Sequence, residues 1–415
     1  MRRFNKALQA MPATVALFMV LKPGWSTLPL AVWFLLAAAY EVARLFKAPP
    51  AADRMALPPA FRWFAGGSVL MYFLMAVGLS WTENMAAGWF ALEVKFSLLL
   101  IPLLMLHHWH RQGAKGLNAV PMALVAGLLM FMGWRFVLAS VSGDAEFWRY
   151  DGLAGPFHPT YMGMYLVLMP LLLSKKSKWY NLALVVTGVF VGLLASKAAW
   201  IVAGLVWGCL LVMHGKRRSF RAWRIGMALV GMCLGGGLGD GGRISEFTGY
   251  VSAELASTQV DSPGSAADSP QPSQPTAKVG SSAGRMQAWN ASLEVLAAAP
   301  FGVGTGDVTD ALCAVYEQRG SAYALEKRMN PHSMWLQLAV SHGWMGLVLI
   351  LVWWGGTAVL AYRSQNTLLL MWTAALVLNG TIESLLELQQ GVVPIVLLSC
   401  VFALRGSLAP ADVRT

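Results

Sequence analysis

The amino-acid sequence predicts an all-α integral membrane protein with about twelve transmembrane helices. Hydrophobic residues make up 57% of the 415 residues and charged residues only 12%, a composition typical of a chain that is solvated by lipid. Apolar runs of roughly 20 residues, the length that crosses a bilayer as a helix, recur from residues 7–21 to residues 390–405. Because unpaired backbone groups are costly in lipid, each spanning segment is expected to be helical.

The apolar runs give the order of the spans. The first run follows a basic start and could pass for a signal peptide, but it leads into a second span without a convincing cleavage site, so we interpret it as an uncleaved helix. The predicted spans are residues 7–21, 26–46, 62–81, 88–107, 117–140, 157–174, 180–195, 198–213, 223–239, 333–361, 366–384 and 390–405.

The distribution of Lys and Arg predicts the orientation. Basic loops resist translocation, and most of the 31 Lys and Arg residues fall at the termini and in every second loop. Both termini are therefore expected in the cytoplasm. The formal net charge of +11 then follows from topology, and no nucleic-acid partner is expected.

Residues 240–332 interrupt the hydropathic pattern and are predicted to form one large external loop. This loop separates an N-terminal bundle of about nine helices, residues 1–239, from about three C-terminal helices, residues 333–415. Within the loop, residues 258–284 are rich in Pro, Ser, Gly and Ala and are expected to be flexible. Function is expected to concentrate in the remainder of the loop.

The second half of the loop predicts two helices joined by a glycine-rich turn. Residues 285–298 have an apolar face at helical spacing, consisting of Met286, Trp289, Leu293 and Leu296. Pro300 ends this helix, the turn occupies residues 302–306, and the next helix is expected from about Val308. We interpret the first helix as amphipathic, lying against the bundle or the membrane surface.

Ionisable residues in or at the ends of apolar spans are functional candidates, because charges are costly in hydrocarbon. Glu93 and Lys95 could pair with each other or reach the membrane surface. Arg135 and Lys197 are both expected near the outer leaflet, and we interpret them as a cationic site that loop residues such as Arg328 extend. Two further residues of this kind, His158 and Glu383, receive no assigned role. A pyrophosphate-bearing lipid would need such a cluster, because guanidinium groups bind phosphate oxygens bidentately.

Arg285 follows two serines and is therefore predicted in the first turn of its helix. A cation is unfavourable at the positive end of the helix dipole. The placement makes sense if an anion binds between the side chain and the free backbone N–H groups. The alternative is a surface arginine that tolerates a small cost.

His332 lies directly before the apolar run that begins at Met334. Asn330 as the N-cap and Pro331 at the first helical position mark a helix start, which predicts His332 in the first turn at the outer membrane face. The helix dipole there favours a neutral imidazole that can accept a proton. We interpret His332 as catalytic, and His342, on another helical face, as a core residue.

No metal or other cofactor is expected. Metal-dependent transfer from lipid phosphates needs clustered carboxylates on the reaction side, and the early external loops are nearly free of them. Asp307 and Asp310 are the close pair in the second half of the long loop, and we interpret both as helix N-terminal charges.

Two sequence stretches resemble the O-antigen ligase and polymerase superfamily. They are SAGRMQAWNASLEVLAAAPFGVGTGD at residues 282–307 and NPHSMWLQLAVSHGWMG at residues 330–346. The resemblance lies in an Arg and a Trp, an apolar helix, Pro with a Gly-x-Gly turn, and then Pro-His and Leu-Gln before a glycine. Ser196-Lys197 is similar to a Ser-Arg element of that family.

The resemblance implies a membrane fold of the GT-C glycosyltransferase type and an O-antigen ligase activity. The expected donor is O-antigen linked to undecaprenyl pyrophosphate, the expected acceptor is lipid A-core, and transfer is expected at the periplasmic face of the inner membrane, among membrane lipids. It further implies His332 as the catalytic residue. Our hypothesis is that His332 acts as a general base in a metal-independent inverting reaction. Arg285 is implied to bind the pyrophosphate, with Lys197 at the matching Ser-Lys position.

Three alternatives remain open. An O-antigen polymerase and a protein O-oligosaccharyltransferase share the same motifs; the ligase is favoured because there is one large external loop and a chain end close behind the last span. A transporter could also combine twelve helices with buried charges, although no duplicated halves are evident.

Overall fold

The computed structural model describes residues 2–45, 56–172, 180–213, 226–235 and 281–406, and every regular element in these ranges is a helix. The helices are α1 (Arg2–Phe18), α2 (Thr27–Leu45), α3 (Pro59–Val77), α4 (Met85–Lys95), α5 (Ser97–Gln112), α6 (Ala119–Ser142), α7 (Tyr150–Ala154), α8 (Pro159–Val167), α9 (Met169–Leu172), α10 (Tyr180–Leu193), α11 (Lys197–Met213), α12 (Gly226–Gly235), α13 (Ser281–Ala298), α14 (Val308–Gln318), α15 (Ala322–Glu326), α16 (Met334–Arg363), α17 (Thr367–Ile382) and α18 (Gln389–Arg405). Short 3₁₀ turns occupy Gly78–Trp81 and Ala145–Trp148.

Five of the described helices are long and apolar enough to cross a membrane. They are Thr27–Leu45, Pro59–Trp81, Met85–Gln112, Ala119–Ser142 and Met334–Arg363. Shorter apolar helices occur in most of the other predicted spans, from Pro159–Leu172 to Gln389–Arg405. The chain is thus a multi-pass membrane protein, while the count of twelve spans and the GT-C fold type stay predictions.

The helices pack into one bundle with a continuous apolar core. α1 packs on α6, α16 packs on α3 and α17, and α18 packs on α3 and α5. Two tryptophan hydrogen bonds join α3 to α16: Trp63 Nε1 donates to the Trp353 carbonyl at 3.1 Å, and Trp353 Nε1 donates to the Phe64 carbonyl at 2.9 Å. These bonds satisfy indole N–H groups that lipid could not.

The α16 helix is kinked at Gly343, and the glycine-rich turn docks into the kink. Gly343 has φ of 63°, and a Cβ there would lie 2.1 Å from the Pro300 carbonyl oxygen. The backbone N–H groups of Val303 and Gly304 donate to the carbonyls of residues 340 and 341, each at 2.9 Å. The turn therefore pairs with backbone groups at the break in the helix, which anchors the external loop to a transmembrane helix.

The external helices α13, α14 and α15 have a small core of their own. Ala288, Ala291 and Val295 pack with Leu312 and Tyr316, and this cluster reaches Val340 of α16.

The predicted apolar face of the first external helix is only partly correct. Leu296 is buried, at 6% exposure, but Met286 is 40% exposed and Leu293 is 55% exposed. Ala288 and Ala291 are fully buried instead, because small side chains let α13 approach α14 and α16 closely. The predicted flexible segment is also too long, since residues 281–284 already belong to α13. Residues 258–280 lie outside the described residues.

The two ends of the bundle carry different polar groups. At one end, Gln9 Nε2 donates to Gln112 Oε1 at 3.0 Å and Arg405 Nε donates to Asn118 Oδ1 at 3.3 Å. At the other end, the half-buried Asp307 accepts from the backbone N–H groups of Glu83 and Asn84 at 2.8 Å and 2.7 Å. The first end contains the loops predicted as cytoplasmic, and that orientation stays a prediction.

Candidate functional site

His332 lies immediately before α16 and not within it. The N-cap of α16 is Ser333, whose side chain accepts from the Leu336 N–H at 3.4 Å. The prediction that Asn330 caps the helix and that His332 sits in its first turn is therefore wrong. Both Asn330 and Ser333 are good capping residues; here the Asn330 side chain instead accepts from the His332 N–H at 2.9 Å, which forms a turn before the helix.

The His332 backbone is in the left-handed region, with φ of 44°. This conformation is uncommon for a residue other than glycine, costs on the order of 1 kcal/mol, and clusters at functional sites. The surrounding chain maintains it: Tyr316 Oη donates to the Met329 carbonyl at 3.0 Å, and the Ser333 N–H donates to Ser384 Oγ at 3.2 Å. The histidine side chain is 24% exposed, so it remains accessible to a substrate.

Glu383 is the closest charged partner of His332. It follows the last residue of α17, is 6% exposed, and places Oε1 3.4 Å from His332 Nδ1. Burial raises the pKa of Glu383, but the neighbouring side chains of His332, His158 and Arg285 lower that pKa by more, so that it lies below the usual value. Because His332 lies before α16 and not in its first turn, the dipole argument for a neutral imidazole does not apply.

Arg285 approaches the same carboxylate from α13. Its Nη2 lies 3.7 Å from Glu383 Oε2. Because α13 begins at Ser281, Arg285 occupies the second helical turn, and the prediction that it sits beside free N–H groups in the first turn is wrong. We call these three residues the His332–Glu383–Arg285 cluster. It joins the external loop, the start of α16 and the end of α17.

The His332–Glu383–Arg285 cluster is incompletely hydrogen-bonded. Buried atoms with no hydrogen-bond partner include Arg285 Nε, His332 Nδ1 and Glu383 Oε2. Buried polar atoms in folded proteins are normally paired, because leaving them unpaired costs free energy. Loose, buried polar groups around an accessible imidazole are the arrangement expected of a site that a ligand completes.

Lys197 is the first residue of α11, close to the start of α8. Ser196 Oγ lies 3.5 Å from Thr160 Oγ1, and Thr160 N–H donates to Nδ1 of His158 at 3.4 Å. His158 in turn lies within electrostatic range of Glu383, Arg285 and His332. This chain of contacts brings the Ser-Lys element towards the cluster, and its role stays a prediction.

Arg135 and Arg328, the other predicted phosphate-binding residues, have structural partners. Arg135 Nε donates to the Leu153 carbonyl at 3.0 Å, and its Nη2 donates to the Gly152 carbonyl. Arg328 Nη2 lies 2.6 Å from Asp310 Oδ1. The hydrogen bonds from Asn84 and Arg328 lower the pKa of Asp310. The proposed phosphate contacts of both arginines stay predictions.

The loop of residues 383–388 also contains an ion pair that the sequence did not predict. Lys95, which is buried, pairs with Glu387 at 2.8 Å, whereas Glu93 is exposed. The prediction that Glu93 and Lys95 might pair is thus wrong, because the two side chains point to different sides of α4. Nothing in the sequence indicates a partner 292 positions away.

Two further predictions concern His342 and metal binding. His342 is 1% exposed and contacts Ser341 Oγ at 2.6 Å and Thr305 Oγ1 at 3.3 Å, which confirms it as a core residue.

Within the described ranges, no three His, Cys, Asp or Glu residues are grouped so that they could hold a metal ion. That transfer needs no metal stays a prediction.

Comparison with known proteins gives one family match. Residues 182–351 match the family model described as O-Antigen ligase. The matched stretch runs from α10 into α16 and contains Lys197, Arg285, Arg328 and His332. No curated protein shows detectable sequence similarity to the chain.

Proposed function

We propose, from the match of residues 182–351 to the O-antigen ligase family model, that this chain transfers O-antigen from undecaprenyl pyrophosphate to lipid A-core at the periplasmic face of the inner membrane. The family match supports glycosyltransferase chemistry on a lipid-linked polysaccharide. The observation that carries the proposal is the accessible imidazole of His332, which lies 3.4 Å from the buried carboxylate of Glu383. His332 is at the end of the long loop that also supplies Arg285.

His332 is the general base of the proposed reaction. Its Nδ1 faces Glu383, so Nε2, on the opposite edge of the ring, is left for the acceptor. Nε2 takes the proton from an acceptor sugar hydroxyl while that oxygen attacks the anomeric carbon of the first O-antigen sugar. The new C–O bond forms as the bond from the anomeric carbon to the phosphate oxygen breaks, which inverts the anomeric centre and releases undecaprenyl pyrophosphate.

Arg285 is the proposed binding residue for the departing diphosphate. Its side chain is 27% exposed, and the 3.7 Å contact of Nη2 with Glu383 is too long for a hydrogen bond, so donors remain for phosphate oxygens. A guanidinium stabilises the charge that develops on the leaving group. Lys197 would add a point charge, whereas Arg135 and Arg328 would first have to leave their present partners.

Reconstitution tests the proposal directly. Purified protein, O-antigen linked to undecaprenyl pyrophosphate, and rough lipopolysaccharide are combined in the presence of a chelator, and the products are separated on a gel. We expect capped lipopolysaccharide to form without an ion gradient, which also excludes a transporter. If the product is instead a longer lipid-linked glycan or a glycosylated protein, the ligase assignment is wrong.

A cellular experiment separates ligase from polymerase. A strain that lacks a ligase loses all capped lipopolysaccharide, whereas a strain that lacks a polymerase keeps molecules capped with a single repeat. We expect the first pattern in the deletion strain. A single-repeat band that persists would identify the polymerase reaction.

A further inference from the structure

We propose that Glu383 is the positioning residue of this site: through its two carboxylate oxygens it orients His332 and Arg285 together, and it stabilises the imidazolium that forms when His332 accepts a proton. This inference rests on the proposed function and assigns a role to a residue that lies outside the family match, which ends at residue 351.

The first step of the argument is that Glu383 is held rigidly. The adjacent Ser384 accepts from the Ser333 N–H at 3.2 Å and its carbonyl accepts from Tyr161 Oη at 3.2 Å. Leu385 is fully buried and Leu386 is 2% exposed. The loop of residues 383–388 is thereby fixed to both α8 and the start of α16, so the carboxylate has a defined position relative to His332.

The second step concerns the tautomer of His332. The pKa of Glu383 lies below its usual value because its cationic neighbours outweigh its burial, so the carboxylate is ionised at neutral pH and can only accept hydrogen bonds. Nδ1 of His332, 3.4 Å away, is the ring nitrogen placed to donate to this carboxylate, which leaves the lone pair on Nε2. An ionised carboxylate behind the ring fixes this tautomer and orientation, and it stabilises the protonated ring after the transfer.

The third step concerns Arg285. The second oxygen of Glu383 lies 3.7 Å from Arg285 Nη2, so one buried carboxylate contacts both the proposed base and the proposed phosphate-binding residue. His332 and Arg285 are on segments with no other polar contact between them among the described residues. Glu383 therefore sets their spacing, which must match the distance between the attacking hydroxyl and the leaving diphosphate.

Glu383 is better placed as a positioning residue than as the base itself. Its side chain is 8% exposed, against 24% for His332, so a sugar hydroxyl reaches the imidazole first. The groups that face Glu383 are His332 before α16, Arg285 of α13, and His158 and Tyr161 at the start of α8. A change in pH dependence must therefore be tested against His158 as well.

The test compares Glu383→Gln with Glu383→Asp, and uses Glu387→Gln as the matched control. Glu387 lies in the same loop but pairs with Lys95. Glu387→Gln therefore makes the same chemical change at a position that does not contact His332. Initial rates are measured against pH and donor concentration in the reconstituted system, and thermal unfolding confirms folding. We expect Glu383→Gln to lower kcat about 10- to 100-fold, and to move the acidic limb of the pH–rate profile to lower pH, since the imidazolium loses its counter-ion.

The other variants make the charge argument specific. Glu383→Gln does not raise KM for the donor, because removal of an anion beside Arg285 does not weaken the attraction of a diphosphate. Glu383→Asp retains the charge and is more active than Glu383→Gln. Glu387→Gln changes thermal stability and leaves the pH–rate profile unchanged. Equal losses in the Gln and Asp variants, or a wild-type pH–rate profile for Glu383→Gln, would overturn the inference, as would an equal shift of the acidic limb in His158→Gln.

A spectroscopic readout separates this inference from the proposed function. In ¹⁵N-histidine-labelled protein, the His332 signals are identified by their loss in His332→Gln. We expect the Nδ1–H tautomer in the wild type and titration at lower pH in Glu383→Gln, whatever substrate the enzyme uses. Insensitivity of the His332 signals to Glu383→Gln contradicts the inference, while failure of transfer to lipopolysaccharide with an intact Glu383 effect contradicts only the ligase assignment. Full loss of transfer in Glu383→Gln with activity retained in His332→Gln would make Glu383 the base.

Discussion

Two carboxylates at opposite ends of the bundle each contact a histidine and an arginine, but with very different geometry. Glu41 accepts from Nε and Nη2 of Arg111 at 2.7 Å and 2.8 Å and lies 3.0 Å from His107 Nε2. Glu383 has only longer contacts, at 3.4 Å to His332 and 3.7 Å to Arg285. Yet Glu383 is the more buried of the two, with a side chain 8% exposed against 40% for Glu41.

Burial alone predicts the opposite, with the shorter contacts at Glu383 and the longer ones at Glu41. The more buried a carboxylate is, the more it needs short hydrogen bonds to offset the loss of water. Glu41 has a bidentate arginine although it is partly exposed, as expected for a cluster that serves stability. Glu383 leaves one oxygen without a hydrogen bond. The difference agrees with the proposal that a ligand completes the external cluster, because catalytic hydrogen bonds are often long until the substrate is bound.

The largest expected effect comes from the two histidines. His332→Ala should lower transfer about 10³-fold or more, because it removes the general base, while the protein remains folded and inserted. His107→Ala removes the histidine of the Glu41 cluster and should keep near wild-type transfer. Initial rates of capped lipopolysaccharide formation measure both. Near-normal transfer by His332→Ala would remove the basis of the comparison.

The next largest effect is expected at the two arginines of the external loop. Arg285→Lys should lower transfer about 10- to 100-fold and raise KM for the donor, because a lysine retains the charge but not the bidentate geometry. Arg319→Lys is the matched control, since Arg319 Nε donates at 2.7 Å to Glu294, which lies on α13, the helix that also contains Arg285. Equal kinetics for the two variants would reduce Arg285 to a surface residue.

The sequence predicts the helices much better than it predicts the site partners. A bilayer forces every apolar run to be helical. The span that hydropathy predicts at residues 333–361 therefore agrees with α16 to within a few residues. Hydropathy does not reveal the kink at Gly343, because that kink depends on a turn some 40 residues earlier in the chain docking onto it.

The site shows the same limit. Composition and the helix-start pattern select His332 and Arg285, but both predicted positions relative to their helices are wrong. Two capping residues, Asn330 and Ser333, lie three positions apart before α16, and α13 begins four residues earlier than predicted. Glu383 was selected only as a charge at a span end. Its pairing with His332, 51 positions earlier in the chain, arises from packing of α17 on α16. No local sequence pattern predicts this packing.

A smaller effect is expected where the external loop is anchored. Asp307→Ala should lower transfer roughly tenfold or less by releasing the loop from the N–H groups of Glu83 and Asn84, at 2.8 Å and 2.7 Å. Asp310→Ala should have less effect, because the Asp310–Arg328 pair is about half exposed on both sides and exposed pairs contribute little. Transfer rates and limited proteolysis of the loop compare the two. A greater loss in Asp310→Ala than in Asp307→Ala would contradict this ranking.

The smallest effect on transfer is expected for Glu41→Gln, and this variant shows what a purely structural carboxylate does. The substitution leaves Arg111 without its bidentate anion, and unpaired charges in a bundle are destabilising, so the melting temperature should fall by a few degrees while kcat and the pH–rate profile of the folded enzyme stay at wild-type values. Glu383→Gln should show the reverse ratio, with a large loss of kcat for a small change in melting temperature, because the contacts of Glu383 with His332 and Arg285 are already long. Thermal unfolding and initial rates on the same preparations give both quantities. If Glu41→Gln changed the pH–rate profile, the two ends would be coupled, and the tight geometry at Glu41 could not be interpreted as structural.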